Sequence, residues 1–167
     1  MIIAGVDPGL NATGYGIIDA GRGRLAVLAA GAITPPRRRP LAERLGIIHD
    51  RLSVLVLQHQ AAVLVLERIF THHTYVNTAA LMAHARGVAC LIAQQHGIAL
   101  AEYSPTQVKQ SLTGRGSATK DQVARMVGQW LQTSDPAWSS DATDALALAI
   151  MHAHHTRQDA RLPVRAG

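Results

Sequence analysis

The sequence predicts an α/β domain in which a three-strand meander and further parallel strands form one mixed sheet with helices on both faces. Three observations carry this expectation. Short apolar segments at the amino terminus are separated by the turn signals Asp7-Pro8-Gly9 and Gly21-Arg22-Gly23. From Leu41 the apolar spacing switches to steps of three and four, the period of a helix. The run Ala61-Ala62-Val63-Leu64-Val65-Leu66 is continuously apolar and too short for another helix, as expected of a strand buried on both faces. With 167 residues, 48% of them hydrophobic and 16% charged, the chain suits one core. The expected organisation is a single domain over residues 1–157 and a basic, flexible tail over 158–167.

Taken in order, Ile2 to Val6 forms a strand ending at Asp7, because proline fixes φ and glycine accepts positive φ immediately after it. Thr13 to Ile18 and Leu25 to Ile33 complete the meander. After the Pro/Arg loop Thr34 to Pro40, Leu41, Leu45, Ile48, Leu52 and Leu55 mark a helix ending near Gln60. The buried strand Ala61 to Leu66 is terminated by Glu67. Asn77 to Gln95 reads as a long alanine-rich helix closed by Gly97, and Ile98 to Tyr103 as a strand before Pro105. Lys109 starts the next helical segment. Thr119 and Gln122 form a capping box for a helix whose apolar face is Val123, Met126, Val127, Trp130 and Leu131. A last helix, capped by Ser139 or Ser140, carries Asp141 and Asp144 and ends around His154.

Charge narrows the partner. Sixteen Lys+Arg against 11 Asp+Glu give a net charge of +5 and a pI near 10.1, which points to an anionic partner. The core-forming composition excludes a disordered basic tail. Cys90 stands alone, which excludes an intramolecular disulfide and a thiolate zinc site and fits a reducing compartment. The start Met1-Ile2-Ile3-Ala4-Gly5 lacks a basic export region and no apolar run reaches the roughly 18 residues of a membrane span, so the expected location is cytoplasmic, with no membrane partner.

Four acids carry the chemistry. Asp7 and Glu67 each follow an apolar strand; if those strands are parallel neighbours, both carboxylates emerge at the carboxyl edge where α/β sheets bind ligands. Asp141 and Asp144, three apart, share a helix face that could close the site from the side. Asp7 alone could begin a turn, and Asp141 alone could serve a helix first turn. Converging carboxylates repel unless protonated or neutralised by a hard cation, and all-oxygen ligands favour Mg²⁺ or Mn²⁺. Two such ions roughly 3.5–4 Å apart support hydrolysis of a phosphodiester.

The cationic inventory fits nucleic acid. The chain has 14 arginines and only two lysines. Lys120 follows Gly114-Arg115-Gly116-Ser117 at a helix amino terminus that attracts phosphate, and Lys109 follows Tyr103-Ser104-Pro105. Arg115 adds a further charge to that loop. Arg37-Arg38-Arg39 reads better as a solvated triplet than as a phosphate contact. Phe70, the sole phenylalanine, stands three residues beyond Glu67, either as a wedge that stacks on an unpaired base or as an anchor for its loop. His152 could reach the site, whereas His154 and His155 are given no role.

Gly5-Val6-Asp7-Pro8-Gly9 with Thr13-Gly14-Tyr15-Gly16, Leu66-Glu67-Arg68-Ile69-Phe70, Ala85-Arg86-Gly87, Gln107-Val108-Lys109-Gln110 and Asp141-Ala142-Thr143-Asp144-Ala145-Leu146-Ala147 closely resemble the RuvC family of bacterial crossover junction endonucleases over nearly the whole chain. The resemblance implies a ribonuclease H-like fold, a homodimer, and paired symmetric Mg²⁺-dependent nicks in a four-way Holliday junction. It implies the RuvA–RuvB branch-migration complex as partner. Carried over by motif, Asp7, Glu67, Asp141 and Asp144 match the metal-binding acids, with two Mg²⁺ per subunit and Mn²⁺ able to substitute. Lys109 and Lys120 match basic residues near the scissile phosphate, and Phe70 an aromatic beside the junction centre. A nuclease acting on ribosomal RNA precursors, a non-catalytic junction binder and an actin-like phosphotransferase are the rival readings.

Overall fold

The computed structural model describes residues 1–21, 24–68, 76–133 and 138–159. The elements are β1 (Ile2–Asp7), β2 (Thr13–Asp19), β3 (Ala26–Ile33), α1 (Leu41–Gln58), β4 (Val63–Glu67), α2 (Val76–Gln95), β5 (Ala99–Tyr103), α3 (Pro105–Thr113), α4 (Lys120–Trp130) and α5 (Ser140–Asp159). The five strands form one mixed sheet in the order β3-β2-β1-β4-β5. The meander β1-β2-β3 is antiparallel, whereas β4 runs parallel to β1 and β5 parallel to β4. No helix among the described residues is long and apolar enough to cross a membrane.

Strand alternation divides the core into two layers. On β1, Ala4 and Val6 join Leu64 and Leu66 of β4 in a layer with Ile48, Leu52 and Val56 of α1 and Ala85, Ala89 and Ile92 of α2. Ile3 and the β4 residues Val63 and Val65 face the other way, onto Val108 and Leu112 of α3, Val123 and Val127 of α4 and Leu146 and Ile150 of α5. Parity then puts Asp7 on the side of Ile3, and Glu67 on the side of Val63 and Val65. Both therefore belong to the face that α5 covers.

Several boundaries depart from the sequence expectation for identifiable reasons. β1 ends at Asp7 as expected, whereas Glu67, expected just beyond the buried strand, is itself the last residue of β4. Lys109 sits in the middle of α3, because Ser104 starts the helix a turn earlier: its hydroxyl accepts from the Gln107 N–H at 3.2 Å while Gln107 Oε1 accepts from the Ser104 N–H at 2.8 Å. The last helix continues past His154 to Asp159. Contacts hold that extension: Ser111 Oγ lies 3.1 Å from His154 Nδ1, and Trp130 meets the His154 ring edge-on at 4.3 Å. The residues beyond Asp159, and with them most of the expected tail, lie outside the described residues, as do Phe70 and the Thr71–Thr74 loop.

Candidate active site

The site begins with the end of the β1/β4 pair. Val6 and Leu66 are register partners, so the next residue on each strand, Asp7 and Glu67, projects from the same carboxyl edge. Arg86 of α2 fixes that edge from the other layer. Its Nη1 donates to the Glu67 carbonyl at 2.7 Å, and its guanidinium also pairs with the Glu102 carboxylate on β5. The Arg68 N–H donates to the Tyr103 carbonyl at 2.7 Å, which continues the β4/β5 ladder past Glu67.

The third and fourth acids arrive through an unusually close helix-on-sheet contact. A β-carbon on Gly5 would collide with the Ala145 carbonyl oxygen, one on Gly14 with the Asp141 carbonyl, and one on Gly16 with Leu146. Gly5 pairs with Gly16 and Asp7 with Gly14 across β1 and β2, so the three glycines form one bare floor under the start of α5. Only residues without side chains let the helix backbone descend this far. Ser139 caps the helix by accepting the Ala142 N–H at 3.3 Å, which sets Asp141 and Asp144 in its first turns. The sequence reading found the acids but missed the floor, whose signal is three glycines on one face of two paired strands.

A cavity of about 250 Å³ results, lined by Asp7, Glu67, Asp144, Lys109 and Lys120 over Val108, Val123 and Leu148. Asp141 stands close enough to act on Asp7 electrostatically. Burial, then the Asp144, Glu67 and Asp141 charges, push the Asp7 carboxyl up to about 6, against an opposing effect of Lys120. Burial and Asp144 likewise raise Glu67, while Lys120 and Lys109 pull it back. Lys120 Nζ donates to Asp144 Oδ2 at 3.0 Å, a contact that holds the ammonium proton above its ordinary range.

This donor set suits a hard divalent cation: all acidic ligands are oxygen, half-buried and mutually repelling. As they stand, no three such groups among the described residues are drawn close enough to chelate one ion. Lys120 acts as counter-ion to Asp144.

The remaining sequence candidates fall elsewhere. His152 Nδ1 lies 2.8 Å from the Tyr103 hydroxyl, and burial lowers its proton affinity, so it braces α5 against β5 rather than lining the carboxylate cavity. Arg115 lines a separate cleft beside α4. Phe70 lies outside the described residues. Arg86 appeared in the sequence only as part of a motif, because its contacts to Glu67 and Glu102 are long-range.

Comparison with known proteins gives a consistent set of matches. Residues 3–152 match the family profile described as crossover junction endodeoxyribonuclease RuvC. The RuvC of Rhodopseudomonas palustris strain TIE-1 is 42% identical over 160 residues, covering 96% of this chain and 91% of the relative. That of Halorhodospira halophila is 45% identical over 154 residues, covering 92% and 90%. Among solved structures, Thermus thermophilus RuvC in complex with Holliday junction substrate superposes with a TM-score of 0.89 at 30% identity, covering 95% of this chain and 96% of that one. The yeast mitochondrial Holliday junction resolvase Ydc2, at 10% identity and a TM-score of 0.63, covering 95% and 82%, shares the fold. The chain belongs to the RuvC family of crossover junction endodeoxyribonucleases.

Proposed function

We propose that this chain resolves four-way DNA junctions by paired, symmetric hydrolysis of two phosphodiester bonds, in the recombination and repair of DNA in the cytoplasm. The observation that carries the reading is the carboxylate cavity at the edge of β1 and β4, with two lysines on its rim, in a member of this family. The family implies dependence on a divalent metal. Asp7, Glu67, Asp141 and Asp144 are the residues that would hold two Mg²⁺ ions, or Mn²⁺ in their place. Such ions supply charge neutralisation and Lewis-acid activation at the phosphodiester.

The chain's own residues prepare that chemistry. Asp7 must lose its proton to serve as a ligand, and its raised pKa makes that loss complete only above about pH 6. Lys120, at the first position of α4, is paired with Asp144 and would present its positive charge to the scissile phosphate. Lys109, on the preceding helix α3, presents a second positive charge to the same cavity. Arg86 positions Glu67 through the backbone. Phe70, three residues beyond Glu67, is proposed to stack near the junction centre.

A junction with a dyad calls for two active sites, which a two-fold dimer supplies. The face for it is the outer side of α2. Ala89 and Ala93 of this alanine-rich helix are in the core, but Ala80, Ala83, Gly87 and Leu91 recur along an exposed stripe and Leu91 is 51% exposed. Small residues at that spacing let a second helix approach closely. Coupling to a RuvA–RuvB branch-migration motor completes the proposed assembly.

The test is to incubate the protein with a mobile four-way DNA junction, a linear duplex and an RNA–DNA hybrid, in Mg²⁺ and in chelator. Paired nicks confined to the junction and abolished by chelator are expected. Cleavage of the hybrid alone would replace the reading with RNA processing, and tight junction binding without cleavage would leave a binding module.

A further inference from the structure

On the flank of α4 away from the carboxylate cavity lies a second cleft of about 390 Å³, between the α3–α4 turn and the helix. Arg115 comes from the turn, Gln122, Arg125 and Gln129 from the helix, and Ala118 closes the end nearest Lys120. At 100° per residue, Gln122 and Gln129 stand roughly 160–180° around the axis from Lys120. We propose that this cleft seats the phosphate backbone of a junction arm beyond the scissile position, with Arg115 and Arg125 as its two phosphate-gripping residues. The inference rests on the junction-resolving reading and extends it to how the arm is held.

Charge is the first support. Among the described residues no carboxylate lines the cleft and neither guanidinium forms an ion pair, although both side chains are exposed. Two guanidinium groups with no counter-ion among the described residues, in a chain with a net charge of +5, mark a surface suited to phosphate.

Preorganisation is the second. The turn that presents Arg115 is locked by its own hydrogen bonds. Gly114 takes φ +76°, its carbonyl accepts from Gln110 Nε2 at 2.8 Å, and the Arg115 N–H donates to Thr113 Oγ1 at 3.1 Å. Thr113 Oγ1 in turn donates to the Lys109 carbonyl at 2.8 Å, so Arg115 is mounted on the helix that also bears an active-site lysine. Arg125 uses Nε on the Asp121 carbonyl at 3.4 Å, leaving its terminal nitrogens for two oxygens of one phosphate. Gln122 spends only its Oε1 on the cap of α4, at 2.9 Å from the Thr119 nitrogen, so its amide NH₂ is available to the backbone of the nucleic acid.

Placement is the third. Ala118 is two residues from Lys120, at most about 7 Å between Cα atoms, and Arg125 lies about 7.5 Å further along α4. Phosphates of one strand recur about every 3.4 Å along a duplex axis. A strand whose scissile phosphate lies at Lys120 therefore reaches the cleft within a few nucleotides. Contacts of this kind carry no base information; they fix the direction in which an arm leaves the cutting site, as selection by branched shape requires.

The experiment measures junction affinity against salt for the wild type, the double variant Arg115→Ala/Arg125→Ala and the charge-retaining Arg115→Lys/Arg125→Lys, on junctions with short and long arms. Loss of two phosphate contacts should flatten the slope of log K against log salt by about 1.8, so that between 50 and 200 mM salt the wild type loses roughly tenfold more affinity than the alanine variant. Lengthening the arms should strengthen binding of the wild type but not of the alanine variant, and the lysine variant should keep most of the slope. Single-turnover cleavage at saturating DNA should be unchanged in both variants. Equal slopes and equal arm-length responses would overturn the proposal, as would loss of cleavage at saturation with the slope unaltered. Cleavage of the junction by the wild type in Mg²⁺ is the control: its failure removes the underlying reading, whereas an unaltered slope with cleavage intact removes only the arm cleft.

Discussion

The two faces of the sheet are packed by opposite means. Toward α1 and α2 the strands present Ala4, Val6, Leu64 and Leu66, which pack with Ile48, Leu52 and Ile92. Toward α5 the same strands present Gly5, with Gly14 and Gly16 beside it on β2, and the helix backbone sinks to the level those missing side chains leave. The first face derives its stability from buried apolar volume. The second gives up part of that volume to bring a helix first turn, and its two aspartates, beside two strand-end carboxylates. Side-chain volume stabilises one layer, and its absence positions the chemistry in the other.

The largest effect that tests this contrast is on catalysis. Glu67→Gln keeps the shape of the strand end but removes a charge from the cluster, and should lower junction cleavage by about 10³-fold or more while leaving junction affinity near that of the wild type. Cleavage assays paired with gel-shift binding check it.

Next comes a matched pair of packing variants. Leu52→Ala on the first face should cost about 2–5 kcal/mol of stability, because a fully buried leucine leaves a cavity. At temperatures where it stays folded it should cut junctions at close to the normal rate. Gly5→Ala on the second face should cost a comparable 2–3 kcal/mol through collision with the Ala145 carbonyl, yet also depress cleavage strongly, since α5 must lift and carry Asp141 and Asp144 with it. Denaturant titration with single-turnover kinetics separates the two, and similar activity in both variants would erase the distinction between the faces.

A smaller effect follows from the raised Asp7. A carboxyl whose folded pKa is about 6 against an ordinary value of 3.8 holds its proton more tightly in the fold, so its ionisation costs stability that grows as pH rises through that window. Asp7→Asn should therefore stabilise the metal-free protein by about 1–2 kcal/mol at pH 8, and the gain should fade to nothing near pH 3. Smallest is Arg86→Met. It leaves the Glu67 carbonyl without its donor and Glu102, partly exposed, without its partner, for a loss of about 1 kcal/mol and a modest fall in cleavage.

The contrast also explains what the sequence disclosed. Asp7 and Glu67 were readable because each ends a run of apolar residues in a strand, and Asp141 and Asp144 because three-residue spacing shares a helix face. Sheet class and the order of elements followed from the same periodicities. The glycine floor was not readable as such, since Gly5, Gly14 and Gly16 look individually like weak points of strands; their meaning depends on the pairing of Gly5 with Gly16 and on α5, more than a hundred residues away. Arg86 was opaque for the same reason. The sequence places the end of the last helix near His154, but Ser111 and Trp130 anchor that turn from α3 and α4.

The measurement that bears most directly on the central claim is the thermal stability of the wild type and Asp7→Asn in chelator and in Mg²⁺ or Mn²⁺, at pH 8 and pH 5. A cation held by the carboxylate cluster should raise the wild-type Tm at pH 8, by several degrees once it exceeds its Kd a hundredfold. The rise should shrink at pH 5, where Asp7 keeps its proton, and nearly vanish in the variant. An equal rise in both proteins, or none in the wild type, would contradict the account that the glycine-floored edge gathers these acids to hold metal.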